Sequence, residues 1–176
     1  TRGGLAYIDA RSHLRIGGGA ASAFNVPGGM TSSGLLQILG TSIQVGGIRA
    51  AGPVEILNGG MQLEGGFLET FGGGRLTHGV GVERGYWLNH PGSTMVFSNA
   101  PFTSTSSGTN GLVINRGTFD VVRGVVSSSG SRIRNVGELR VREGTMTIRN
   151  LDNRGAVRAD SGAKLHIQSR IHHDDA

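Results

Sequence analysis

The stretch Asn135-Val136-Gly137-Glu138-Leu139-Arg140-Val141-Arg142-Glu143-Gly144 decides how the rest of this chain is read. Its form is Asn-x-Gly, then two apolar residues in alternation, then a closing Gly. The form recurs as Asn115-Arg116-Gly117-Thr118-Phe119-Asp120-Val121-Val122-Arg123-Gly124 and as Asn153-Arg154-Gly155-Ala156-Val157-Arg158-Ala159-Asp160-Ser161-Gly162. The copies step by about 20 and then about 18 residues, within the range of a solenoid unit. Alternation over so short a run marks strands of about three to five residues with one face buried.

Apolar pairs of the same spacing continue along most of the chain, among them Leu14 and Ile16, Leu36 and Ile38, Val54 and Ile56, Val80 and Val82, Met95 and Phe97, Leu112 and Ile114, Met146 and Ile148, and Leu165 and Ile167. No stretch keeps a helical period long enough to form a helix. In the regular part strands lie about seven or eight residues apart while equivalent strands recur after about 18 to 20, which gives two to three strands per repeat. A hairpin meander would pair neighbours across one tight turn, whereas a coil pairs each strand with the one a full repeat earlier, about 4.8 Å away along the axis. The expected fold is all-β, a parallel β-helix (β-solenoid) of about 18–20 residues per coil and about seven or eight coils.

In such a stack Asn115, Asn135 and Asn153 lie above one another. An amide carries a donor and an acceptor, so the three can form a structural ladder, and Asn also tolerates a left-handed corner. Gly117, Gly137 and Gly155 then let the chain turn into its strand. The same register sets Asp120, Arg140 and Arg158 in one outer column and Thr118, Glu138 and Ala156 in another.

The whole chain, 1–176, is expected to form one β-solenoid domain, with irregular, looped coils over 1–111 and regular coils over 112–170. Loops are expected over Ala20 to Ser33, Gly85 to Ser93 and Ser98 to Gly111. Because the sequence begins at Thr1 rather than Met, it is expected to be a piece of a longer protein.

Composition narrows the function classes. Glycine is abundant (32 residues) and proline scarce (4), which rules out collagen and points to many tight turns. The net charge of +5 is carried almost wholly by arginine, Lys164 being the single lysine. The basic residues are spread along the repeats and aromatics are only 5%, so no platform for nucleic acid is expected; a solvated arginine-rich surface is the first reading, with weak binding of polyanions such as acidic glycans as the alternative. The absence of cysteine excludes disulfides and thiol chemistry, and no apolar run is long enough for a transmembrane segment.

Candidate chemistry is sparse. Asp152, Arg154, Arg158 and Asp160 form the best local cluster for glycan chemistry, but turn aspartates and surface arginines are expected there in any case. His172-His173-Asp174-Asp175 contains metal-ligand types on a terminus where neighbours point to opposite sides. No catalytic residue, metal site or cofactor is therefore expected. Tyr86, Trp87 and His90 belong to the one aromatic-rich stretch and are the candidates for ligand contact, by stacking on a sugar or anchoring a partner, unless they are buried in the core.

The Asn-x-Gly repeat resembles the passenger domains of bacterial autotransporters and related two-partner-secreted adhesins, well over 112–170 and loosely over 36–66. That resemblance implies a parallel β-helix secreted or displayed on the bacterial cell surface. That family includes adhesins, self-associating proteins, toxins and proteases; with the sparse candidate chemistry above, the expected role is non-enzymatic, as adhesin, structural fibre or spacer, with self-association or a host or cell-surface protein or glycan as partner. The alternatives are a cytoplasmic filament protein of the bactofilin kind, and a glycan-active β-helix enzyme or phage tail spike.

Overall fold

A computed structural model describes residues 6–9, 12–26, 29–45, 47–57, 61–100, 102–103, 111–129 and 132–168. Among these residues there is no helix, and every strand pairing is parallel. The strands fall into three sheets that run along the axis. The first sheet holds β1 (Ala6–Ile8), β3 (Met30–Ser32), β5 (Ile48–Ala50), β8 (Phe67–Thr70), β11 (Tyr86–Asn89), β14 (Leu112–Asn115), β17 (Arg132–Asn135) and β20 (Leu151–Asn153). The second holds β2 (His13–Val26), β4 (Leu35–Val45), β6 (Val54–Ile56), β9 (Gly74–Leu76), β12 (Thr94–Ser98), β15 (Thr118–Arg123), β18 (Glu138–Val141) and β21 (Ala156–Ala159). The third holds β7 (Met61–Glu64), β10 (Val80–Glu83), β13 (Phe102–Thr103), β16 (Val125–Ser129), β19 (Thr145–Ile148) and β22 (Lys164–Ile167).

The chain visits the three sheets in turn, so the molecule is a parallel β-solenoid. From β5 onward it makes six complete three-stranded turns. Two layers precede them, in which the long strands β2 and β4 replace a pair of short ones, and β4 also lies beside β7. The first half is thus laid on the same three sheets as the repeats. Coil length varies with the turns: paired residues lie 20 apart from β14 to β17 and 18 apart from β17 to β20, but 26 apart from β11 to β14.

The core fills the space between the sheets. Inward residues of each coil, such as Ile133, Leu139, Val141, Met146 and Ile148, are fully buried, and each contributes about 1.5–3 kcal/mol through burial. Trp87, Phe97 and Phe119 widen the middle coils, with ring centroids 5.1–6.1 Å apart.

Two of the expected loops are strands. β2 and β3 occupy most of Ala20 to Ser33, and β11 lies within Gly85 to Ser93. Glycine and proline mark corners in this chain without setting how long the segment between two corners is. In the third, Ser98 to Gly111, the chain forms β13, and residues 104–110 lie outside the described residues. So does the His172 to Asp175 tail.

Candidate functional site

The amide column is continuous and directional. Asn115 Nδ2 donates to Asn135 Oδ1 at 2.8 Å, and Asn135 Nδ2 donates to Asn153 Oδ1 at 2.8 Å. Each second amide hydrogen finds a backbone carbonyl: Asn115 that of Glu138 at 2.8 Å, and Asn135 that of Ala156 at 3.1 Å. The column also extends below the repeats. Asn89 Nδ2 donates to Asn115 Oδ1 at 2.9 Å, and the Thr70 hydroxyl donates to Asn89 Oδ1 at 3.0 Å. The 26-residue step hides Asn89 from the repeat period, although Asn89 is followed by the alternating pair Met95 and Phe97 that could have signalled it.

The ladder asparagines do not take the left-handed conformation expected of them. Among described non-glycine residues only Arg84 and Asn99 have positive φ. The left-handed corner belongs to the second glycine of each repeat, with φ of 85°, 89° and 82° at Gly124, Gly144 and Gly162. Gly117, Gly137 and Gly155 have a different role. A Cβ on Gly137 would lie 2.0 Å from the Gly117 carbonyl oxygen, so this column is glycine because neighbouring coils meet backbone to backbone.

The three candidate contact residues separate. Trp87 is fully buried, packs on Phe119 and Phe97, and donates its indole N–H to Thr70 Oγ1 at 3.3 Å. It is a core residue and not a surface contact, because alternation along β11 turns it inward and its two neighbours outward. Tyr86 and His90 lie outward around Glu69. The Tyr86 hydroxyl donates to Glu69 Oε1 at 2.9 Å, Arg49 Nε donates to Glu69 Oε2 at 3.1 Å, and His90 Nε2 stands 3.9 Å from the same oxygen. Burial first, and then the bond to Glu69, raise the Tyr86 phenol above its ordinary pKa of 10.0. The rings are already stacked across coils, Phe67 on Tyr86 at 5.5 Å and Phe71 on His90 at 3.7 Å.

The cluster Asp152, Arg154, Arg158 and Asp160 also divides between sheets. Asp152, on β20, is nearly buried and faces Arg134 at 2.8 Å, Arg154 at 3.5 Å and Arg132 at 3.6 Å. The hydrogen bond from Arg134 holds its carboxyl below the ordinary value, against the opposing effect of burial. Arg158 turns to Glu138 at 3.5 Å and Asp160 to Arg140 at 2.9 Å, both on the second sheet's side. The hydrogen bond to Asp160 raises the Arg140 pKa. Asp120 sits in register with Arg140 but is held by Arg142, whose Nε donates to Oδ1 at 2.9 Å. Among the described residues no group of three or more histidine, aspartate or glutamate side chains could hold a metal ion.

No family model, curated protein or solved structure matches the chain. The parallel β-solenoid is the level at which it is classified, and the groups around Glu69 and around Asp152 both lie on the outward side of the first sheet.

Proposed function

We propose that this chain is a non-enzymatic β-solenoid, secreted or displayed on the bacterial cell surface, that acts as an adhesin or a structural spacer of the autotransporter passenger kind. The observation that carries this reading is how the polar groups of the regular coils are used. Their buried amides bond to one another along the axis, and Asp120, Glu138, Asp152 and Asp160 are matched to arginines of neighbouring coils, as in Arg142 with Asp120 and Arg140 with Asp160. Such pairs hold a stack together. They do not converge on one point where a substrate could be attacked. A stack of this kind gains length by adding coils without needing a larger core, which suits a spacer that carries a binding face away from a surface.

A second reading, a polymerising filament protein, is favoured by the coil β20–β22. Val157, Leu165 and Ile167 there remain half-buried while their equivalents in the coil before, Leu139, Met146 and Ile148, are fully buried. Another coil, of this chain or of a second copy, would cover them.

Proteinase treatment of intact cells expressing the natural protein tests the first reading, with electron microscopy of purified protein beside it. Loss of the solenoid epitope from intact cells supports display. Protection in intact cells but loss after lysis, together with filaments of purified protein, would establish the second reading instead.

A further inference from the structure

The outward side of the first sheet changes character along the axis. Over β11 and β14 it carries the half-buried Tyr86, Leu88, Leu112 and Ile114. Over β17 and β20, and in the turns beside them, it carries Arg132, Arg134, Arg149 and Arg154, with the exposed Arg116 one coil below. From β11 to β20 Asp152 is the sole carboxylate among these outward positions in the described residues. Leaving Arg154 out of the count, four guanidinium groups stand against one carboxylate, an excess of three charges.

Elsewhere Arg49, Arg75, Arg140, Arg142 and Arg158 are matched to Glu69, Glu55, Asp160, Asp120 and Glu138. Arg132 and Arg134 point the same way from one strand, about 6.6 Å apart, and successive coils add further positions at intervals of about 4.8 Å. The result is a set of planar donors, spread over successive coils, suited to carboxylate or sulfate groups.

We propose that this face binds an anionic polysaccharide, with acidic groups on Arg116, Arg132, Arg134 and Arg149 and sugar rings lying along Leu88, Leu112 and Ile114. This deepens the adhesive reading and rests on it. A nucleic acid fits less well, because the aromatic faces that would stack on bases are taken: Phe67 and Tyr86 cover each other, and the Arg49 guanidinium stands 5.5 Å from the Phe67 centroid.

The test is titration of the immobilised protein with oligogalacturonate, heparin-derived oligosaccharide, a neutral dextran oligomer and a single-stranded oligonucleotide. Arg132→Gln/Arg149→Gln is compared with the charge-matched Arg75→Gln/Arg158→Gln, leaving Arg134 in place to partner Asp152. The expected result is binding of at least one acidic oligosaccharide and not of the dextran. The first double variant should weaken it by about tenfold and the control by less than about twofold, because direct guanidinium contacts outweigh screened distant charge. Failure to bind either acidic oligosaccharide, equal loss in both variants, or tighter binding of the oligonucleotide overturns the proposal. Circular dichroism must show that the variants remain folded, and a misfolded Arg132→Gln/Arg149→Gln is replaced by Arg149→Gln alone, with the same direction expected. The cell-surface proteolysis above is independent of these outcomes, so failure of glycan binding and failure of surface display are distinguishable.

Discussion

Asn135 links two coils through one side chain, accepting from Asn115 and donating to Asn153 and to the Ala156 carbonyl. Asn135→Ala removes these bonds and strands the Asn153 oxygen, so it should lower stability by about 2–3 kcal/mol. Urea unfolding followed by Trp87 emission measures this directly, since Trp87 is the single tryptophan and is fully buried. Asp152 gives a pH-dependent test. Its folded pKa lies below the ordinary 3.8, so its stabilisation is present above pH 3.8 and is lost as pH falls through the lower folded value. Asp152→Asn should therefore be less stable than the parent near neutrality, with the difference closing in strong acid. A constant difference from pH 7 downward would mean that the arginines around Asp152 do not stabilise its charge.

At the scale of the coil, the closing glycines separate two costs that the repeat makes look alike. Gly144 and Gly162 both have positive φ, but a Cβ on Gly144 would lie 2.1 Å from the Gly124 carbonyl oxygen, whereas one on Gly162 would meet nothing within 4 Å. Gly162→Ala should cost about 1–2 kcal/mol, the left-handed penalty alone. Gly144→Ala adds a backbone clash and should cost about 2–4 kcal/mol. Equal thermal shifts for the two would show that the coils are not in the contact described. These are the elements in which the sequence was most legible, because each repeat states its strand, its amide and its glycines at fixed spacing. What it did not disclose was which residue turns the corner, since Asn and Gly both tolerate positive φ and only backbone geometry distinguishes them.

At the scale of the whole molecule, dividing strand spacing by repeat length gave a coil of two to three strands, which the structure resolves as three sheets, but the lower coils were obscured. The 26-residue step between Asn89 and Asn115 breaks the period, and β2 runs on to Val26 through the start of the stretch Ala20 to Ser33 that reads as a loop, with a register shift between Gly17 and Ser22. The outward site was legible only in composition. Tyr86, Trp87 and His90 lie within five residues, yet alternation buries Trp87, and the arginines of the basic face come from three different coils. All of these assignments depend on parallel pairing between coils. The absence of cysteine makes a cross-linking test clean. Ser127 and Thr147 are in register on adjacent coils of the third sheet, at a spacing of about 4.8 Å that a disulfide can bridge. Glu138 and Thr147 would face each other in a hairpin closed at Arg142-Glu143, but here they lie on different sheets. Oxidation of Ser127→Cys/Thr147→Cys should form the disulfide and that of Glu138→Cys/Thr147→Cys should not, whereas the opposite result would contradict the solenoid.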